Sequence, residues 1–252
     1  MRKNRLLSKL RSGQPAFGIW LCVGSPILAE EAAHLGFDWA LLDAQHGHWG
    51  YDAMLNACQV VGVTATEMVI RAPWNDPAQI GLVMDAGTLS VIVPMVNSPE
   101  EARRAVAAAR YPPEGLRSAA SSRVFLYGSD YLEKANEEIM VTIMIETQEA
   151  AERADEILSV PGVDGCLIGP SDLAISMGMF GKETAEHEAL IQRVLEAGKR
   201  HGVIMGYPSG TVEEALKRAS QGFQLLTCGS DIGAFWEVMR RSVKDLKEHG
   251  RL

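Results

Sequence analysis

The feature that most constrains the fold of this sequence is a regular alternation of short apolar runs with helical patterns. The runs are nearly continuous in apolar residues, which is typical of strands buried on both faces of a parallel sheet. Eight such runs occur, at Phe17–Val23, Trp39–Ala44, Met68–Ala72, Ser90–Met95, Val141–Thr147, Gly165–Pro170, Val203–Pro208 and Leu225–Ser230. The helical patterns between them include Pro99–Arg110, Gln148–Leu158, Ala185–His201 and Thr211–Gln221.

Eight β-then-α units in 252 residues predict an α/β fold, the (β/α)8 barrel. A doubly wound open sheet is the second choice, because it usually has fewer strands. No linker rich in Gly, Pro or Ser divides the chain, so we expect residues 1–252 to form one domain. Near the N-terminus, Leu6, Leu7 and Leu10 share one helical face, and we expect this helix to close the bottom of the barrel rather than to bind a membrane surface.

Charge and cysteine content exclude several classes of protein. The formal net charge is −8 and the pI is near 5.3, which argues against nucleic-acid binding, because phosphate contacts need clustered cations. No apolar stretch is long enough to span a bilayer, and no apolar core of a secretory signal follows the basic N-terminus. The four cysteines form no CxxC pair and are expected to be reduced and mostly buried, so we expect a cytoplasmic protein.

Polar residues follow the predicted strands at their carboxyl ends, where the catalytic groups of (β/α)8 barrels lie. Asp43 and His46 follow the second run, Arg71 the third and Glu146 the fifth, and Asp172 comes soon after the sixth. Charged groups at the ends of buried strands are costly unless they are paired, so a shared site is their natural explanation.

Glu146 and Asp172 come from neighbouring strands, so their carboxylates are predicted to converge on one hard cation such as Mg²⁺ or Mn²⁺. Each has an alternative role. Glu146 would form a salt bridge at the barrel mouth, and Asp172 would be the N-cap of the helix that Ser171-Asp172-Leu173 opens.

His46 is the best candidate for proton transfer, because the unperturbed pKa of histidine is near neutrality. Asp43, three residues earlier, is a candidate to orient it. Arg71 is predicted to bind a substrate carboxylate, and the alternative is a structural ion pair with Asp43 or Glu146; the two roles are compatible. No lysine ends a predicted strand, which disfavours Schiff-base chemistry.

The sequence resembles the HpcH/HpaI aldolase family, the metal-dependent class II pyruvate aldolases. The matching stretches run in family order from about residue 18 to 178. They are Gly18-Ile19-Trp20, Gly36-Phe37-Asp38-Trp39, Asp43-x-x-His46, Arg71-x-x-Trp74-Asn75-Asp76-Pro77, Asp85-x-Gly87, Val93-Pro94-Met95-Val96, Tyr111-Pro112-Pro113-x-Gly115-x-Arg117, Ile145-Glu146-Thr147, Gly162-Val163-Asp164-Gly165 and Ile168-Gly169-Pro170-Ser171-Asp172-Leu173.

The resemblance implies a role for each matching residue. Glu146 and Asp172 match the carboxylates that bind the metal, which would be Mg²⁺, Mn²⁺ or Co²⁺. Arg71 matches the arginine that holds the pyruvyl group, and His46 the base. Other residues are implied in supporting roles: Asp43 beside the base, Asp85 as its dyad partner from an adjoining subunit, and Gly169, Pro170 and Ser171 in substrate binding.

The implied activity is reversible cleavage of 4-hydroxy-2-oxo acids to pyruvate and an aldehyde, in a homohexamer built as a trimer of dimers. Two alternatives stay open: an oxaloacetate decarboxylase or macrophomate-synthase-like enolate enzyme, and a non-catalytic oxo-acid-binding protein. Gln45, Met144 and Ser118 depart from the family pattern. The segment Tyr207-Pro208-Ser209 is implied to shape the aldehyde end of the site.

Overall fold

In the computed structural model, which describes residues 1–119, 123–180, 182 and 184–252, eight strands form a closed barrel. Neighbouring strands are parallel and pair in chain order, and the last strand closes on the first. The strands are β1 (Ala16–Leu21), β2 (Trp39–Asp43), β3 (Glu67–Arg71), β4 (Ser90–Val93), β5 (Met140–Ile145), β6 (Gly165–Ile168), β7 (Ile204–Tyr207) and β8 (Leu225–Ser230). Each overlaps one predicted apolar run, so the prediction of a (β/α)8 barrel is confirmed.

Helices precede the first strand, connect the strands on the outside of the barrel and follow the last strand. They are α1 (Arg5–Arg11), α2 (Pro26–His34), α3 (Tyr51–Val61), α4 (Pro77–Asp85), α5 (Pro99–Ala109), α6 (Tyr131–Glu138), α7 (Gln148–Glu152), α8 (Ala154–Leu158), α9 (Pro170–Ser176), α10 (Ala185–His201), α11 (Val212–Gln221) and α12 (Asp231–Glu248). A short 3₁₀ helix spans Val124–Tyr127. The single helix predicted over Gln148–Leu158 is wrong: it breaks at Arg153, whose backbone (φ −101°, ψ 13°) interrupts the α-helical ladder.

The first helix closes the barrel from below. Leu6, Leu7 and Leu10 of α1 are at most 2% exposed and pack with the apolar side chains inside the barrel, as the sequence predicts. Asn4 is fully buried as the N-cap of α1, and its side-chain amide donates to Ser90 Oγ at 2.9 Å and to the Glu138 carbonyl at 2.9 Å. The N-terminal segment is therefore part of the core.

Truncation of this helix face is expected to destabilise the whole barrel. Leu10 is 1% exposed, so Leu10→Ala leaves a cavity in the barrel interior and is expected to lower the free energy of unfolding by about 3 kcal/mol. Urea denaturation measures the change, and Leu252→Ala, at a leucine that is 70% exposed, is the matched control. Equal effects of the two substitutions would contradict the role of α1 as a plug.

The last helix differs from the others, because no residue of α12 is buried. Its N-terminus is tied to the end of β1, where the Asp231 carboxylate accepts the backbone N–H groups of Cys22 and Val23, both at 2.9 Å. Large apolar side chains are exposed along the helix, at Ile232, Phe235, Trp236, Val238, Met239, Val243 and Leu246. Within one chain, α12 therefore lacks the apolar packing partner that the outer helices of a barrel normally have.

Two expectations from composition concern membrane-spanning helices and the burial of the cysteines, which is met at two of the four positions. No helix in the described residues is both long and apolar enough to cross a bilayer. The four cysteines are free; Cys58 and Cys166 are buried, while Cys22 and Cys228 are half-buried. Burial raises the pKa of the Cys58 and Cys166 thiols to about 12, so both are protonated at neutral pH.

Candidate active site

A buried ion pair joins the last residues of β2 and β3. The strand register places Asp43 beside Arg71, and the guanidinium binds the carboxylate at two points: Arg71 Nη2 to Asp43 Oδ2 at 2.6 Å and Arg71 Nε to Asp43 Oδ1 at 2.9 Å. Burial alone would raise the pKa of Asp43, but the hydrogen bonds and charge of Arg71 outweigh it and hold that pKa below its usual value. The ion-pair alternative for Arg71 is therefore observed with Asp43.

Trp20, from β1, completes the support of this pair. Its indole Nε1–H donates to Asp43 Oδ2 at 3.1 Å, and the Arg71 guanidinium carbon lies 4.8 Å from the centroid of its ring. Arg71 also lines a cavity of about 640 Å³ at the carboxyl end of the barrel, with Met144 beside it. Arg71 is thus held rigidly from one side while it faces the cavity, so both roles expected of it are compatible with the geometry.

His46 lies in the loop after β2 and lines the same cavity. Asp43 Oδ1 accepts the backbone N–H groups of Gln45 and His46, each at 3.1 Å. Asp43 thus holds the backbone of the loop that carries His46, while its carboxylate also binds Arg71 and Trp20. That Asp43 orients the imidazole stays a prediction. The His46 residue is exposed, and its ring has no hydrogen-bond partner among the described residues.

Glu146 follows β5 and is 1% exposed. Its Oε1 accepts the backbone N–H of Met95 at 2.7 Å, and Met95 adopts φ 55°, which is uncommon for a residue other than glycine. Its Oε2 is buried without a hydrogen-bond partner in the described part of the chain. Burial raises the pKa of Glu146, and the nearby charge of Asp172 raises it further.

The loop after β6 covers the free oxygen of Glu146. A Cβ on Gly169 would lie 2.5 Å from Glu146 Oε2, so only glycine fits there without displacing the carboxylate. Gly169 is the N-cap of α9, and Asp172 is the third residue of that helix. The alternative that Asp172 is the N-cap is therefore wrong. Asp172 lines the cavity together with Gly169, Pro170 and Ser171, and their roles in metal and substrate binding stay predictions.

Asp85 is not among the residues that line this cavity. It is the last residue of α4, which runs back antiparallel to its strand, and its carboxylate pairs with Arg117 Nη2 at 2.7 Å. Within one chain, Asp85 therefore lies outside the cavity that His46 lines. The expected pairing of these two residues between subunits stays a prediction.

Sequence reasoning missed two contributors to the site. Trp20 belongs to a stretch that carries the family resemblance, but nothing local in the sequence indicates that its indole supports Asp43. Met95 gives no signal at all, because a positive φ is not predictable at a methionine. The Met95 amide and the Trp20 indole become relevant only when strands distant in sequence are placed side by side.

With this geometry established, the relatives of the chain can be considered. A sequence model of HpcH/HpaI aldolase/citrate lyase matches residues 16–237. The chain belongs to this family. It is 39% identical over 213 residues to a 4-hydroxy-2-oxo-heptane-1,7-dioate aldolase from Shigella flexneri, a match that covers 81% of this chain and 79% of the relative. Aldolases are thus among its relatives, which supports an enzymatic role.

Solved structures of related proteins share the whole architecture. An HpcH/HpaI aldolase/citrate lyase family protein from Burkholderia cenocepacia J2315 superposes with a TM-score of 0.90 at 29% identity, over 97% of this chain and all of the other. A citrate synthase, SbnG, superposes with a TM-score of 0.88 at 27% identity, over 98% and 99% of the two chains. The barrel described above is therefore the barrel of this family.

Proposed function

We propose that the protein is a divalent-metal-dependent aldolase that reversibly cleaves 4-hydroxy-2-oxo acids to pyruvate and an aldehyde. The observation that carries the proposal is that a rigidly held guanidinium, Arg71, and the carboxylate of Asp172 line one cavity, with the buried carboxylate of Glu146 close to Asp172. The N–H groups of Arg71 that Asp43 does not use, together with a candidate metal site, suit a 2-oxo acid, whose carboxylate and keto oxygens accept hydrogen bonds and bind cations. The relatives named as aldolases support the same reaction.

The residues present fit a hard divalent cation. Glu146 Oε2 is a buried carboxylate oxygen without a protein partner, close to Asp172. Mg²⁺ and Mn²⁺ commonly use one or two protein carboxylates and complete their coordination with water and substrate oxygens. Among the described residues, no cluster of three or more His, Cys, Asp or Glu side chains is arranged for a metal, so a two-carboxylate site is the arrangement we propose.

The side chains then have separate roles in cleavage. Arg71 donates hydrogen bonds to the 2-oxo group. These bonds become stronger as negative charge develops on the oxygen of that group. His46 removes the proton of the 4-hydroxyl group, and the C3–C4 bond breaks. The electron pair of that bond moves into the pyruvate enolate, and the aldehyde leaves. A bound divalent cation would supply further stabilisation of the negative charge on the enolate. Protonation of C3 gives pyruvate.

Proton–deuterium exchange at the methyl group of pyruvate tests this proposal without any assumption about the aldehyde. NMR in D₂O follows the exchange with Mg²⁺, Mn²⁺ or Co²⁺ added, and a chelator is the control. We expect exchange that depends on the metal. Its absence with every metal would contradict the proposed pyruvate-enolate site.

His46→Ala is expected to separate the proton transfer from the enolate chemistry. Loss of the base should lower the rate of aldol cleavage by about 100-fold or more, because general-base catalysis typically contributes that much. Decarboxylation of oxaloacetate by the same variant should persist, since that reaction breaks a carbon–carbon bond without deprotonating an alcohol. Steady-state rates on both substrates make the comparison, and equal losses would contradict the role of His46 as alcohol base.

We also propose that the active protein is a homo-oligomer, a hexamer arranged as a trimer of dimers. The exposed apolar side chains of α12 and the position of Asp85 outside the cavity of its own chain support an assembly in which subunits complete one another.

Subunit complementation tests the part of Asp85. His46→Ala and Asp85→Asn are each expected to be inactive in aldol cleavage. Coexpressed, they should recover activity in about a quarter of the sites, where a His46 and an Asp85 from different subunits meet. Each variant carries a different affinity tag, and purification on both tags in turn selects the mixed oligomers. The control is an oligomer selected in the same way in which both tagged chains carry His46→Ala. Mixed oligomers without activity would contradict a site shared between subunits.

A further inference from the structure

Ser209 is an unusual residue of the cavity wall. It lies in the loop after β7, lines the cavity and is 2% exposed, and its hydroxyl is buried without a hydrogen-bond partner among the described residues. A buried hydroxyl without a hydrogen-bond partner destabilises the fold, so such groups are rare unless a ligand or water satisfies them.

The backbone around Ser209 is fixed by its own hydrogen bonds. The Ser209 N–H donates to the Tyr207 carbonyl at 3.1 Å, and the Ser209 carbonyl accepts the hydroxyl of Thr227 at 3.1 Å. Thr227 also lines the cavity, and the hydroxyl of Ser230 nearby is already used by the N–H of Gly233 at 3.0 Å. Of these wall residues, Ser209 is the one with an uncommitted hydroxyl.

The charges of the cavity indicate what kind of molecule reaches this wall. Among the described lining residues Arg71 is the only lysine or arginine, and it belongs to the β3 side, where Asp43 holds it. Glu237 and Asp172 line the cavity as well and repel a second anion. A substrate with a second carboxylate, such as the dioate in the name of the Shigella relative, finds no cation on the β7–β8 wall.

We infer that Ser209 is a specificity-determining residue whose hydroxyl binds a hydroxyl group of the aldehyde, so that the preferred aldehydes are neutral and hydroxylated. The inference rests on the proposed aldolase function and specifies its substrate class. A 2-oxo acid held between Arg71 and Asp172 occupies the β3–β6 side of the cavity, and the aldehyde occupies the side that remains, between β7 and β1. A hydroxyl near the carbonyl carbon of the aldehyde then supplies the partner that Ser209 lacks.

The test compares aldehydes of similar size that differ in one group. Glycolaldehyde carries the hydroxyl, propanal replaces it with a methyl group, and succinic semialdehyde carries a carboxylate. Rates of addition of pyruvate to each give kcat/KM for the wild type, for Ser209→Ala and for Ser209→Thr, which keeps a hydroxyl. Ser220→Ala, at an exposed serine of α11, is the matched control. Metal-dependent exchange of pyruvate is measured on every variant.

We expect the wild type to prefer glycolaldehyde to both other aldehydes. Ser209→Ala should lower the ratio of kcat/KM for glycolaldehyde over propanal by about 10-fold, the usual contribution of one hydrogen bond to a neutral group. Ser209→Thr should retain most of the ratio, and Ser220→Ala all of it.

Two results would overturn the inference while the proposed function stands. One is an unchanged ratio in Ser209→Ala with normal pyruvate exchange, and the other is a wild-type preference for succinic semialdehyde. If the wild type does not exchange pyruvate at all, the proposed function fails and the inference fails with it.

Discussion

Replacing Glu146 with Gln is expected to lower the metal-dependent exchange of pyruvate by about 1000-fold or more, since the variant removes one of the two carboxylates proposed to hold the metal. The glutamine side chain keeps the size of the original and an oxygen that accepts the Met95 N–H. The loss therefore reports on the charge of the carboxylate rather than on packing. Asp172→Asn, at the second carboxylate, should have a comparable effect. Asp52→Asn, in the first turn of α3, is the control with the same chemical change.

The same Glu146 variant is expected to be more stable than the wild type at neutral pH when a chelator is present. Burial raises the pKa of Glu146 above its usual value of 4.5, so the folded protein binds the proton more tightly than the unfolded chain. Glu146 therefore contributes to stability at a pH below its pKa in the unfolded chain. That contribution is lost as the pH rises through its higher pKa in the folded protein. The gain from Glu146→Gln should therefore be larger at pH 7.5 than at pH 4.5.

Calorimetric Tm values at the two pH values measure the difference. A variant that loses both exchange and stability would show that Glu146 is primarily structural, and a variant that keeps full exchange would contradict its role as a metal ligand. Loss of exchange together with gain of stability is the result that the geometry predicts, because a buried carboxylate with one oxygen unpartnered among the described residues lowers the stability of the fold that retains it.

Arg71→Met is expected to have the second large effect, on stability and activity together. Asp43 is 2% exposed, and without the guanidinium its charge would be buried without an ionic partner, which typically costs about 3–5 kcal/mol. Methionine preserves much of the apolar contact with Trp20, so the loss would come from the charge. Exchange of pyruvate should fall as well, by about 100-fold to 1000-fold, because the donor to the 2-oxo group is gone.

The double variant Asp43→Asn/Arg71→Met separates the two effects. Asparagine keeps an oxygen for the backbone amides of Gln45 and His46 but carries no charge, so most of the lost stability should return while the activity does not. Urea denaturation and the exchange assay are applied to both single variants and to the double variant. Recovery of exchange in the double variant would mean that Arg71 serves only to neutralise Asp43.

The positions of the secondary-structure elements could be predicted because their signals are local. Nearly continuous apolar runs of five to seven residues indicate buried parallel strands, and α10 (Ala185–His201) begins and ends at the predicted residues. Most strands end one or two residues before the predicted limit, since the last polar or turn residues already belong to the βα loops. The break at Arg153 has no such local signal and was missed.

For the candidate site, the sequence by itself determined which polar residues stand at the carboxyl ends of the strands, because strand ends follow from the apolar pattern. It left open whether Arg71 pairs with Asp43 or Glu146, and only the β2–β3 register decided for Asp43. The Met95 amide, the close approach of Gly169 to Glu146 and the unpartnered hydroxyl of Ser209 also needed the tertiary structure. These contacts join residues that are distant along the chain, so they form only when the barrel closes. The apolar pattern that specifies the barrel is local, and it can therefore be recognised in the sequence.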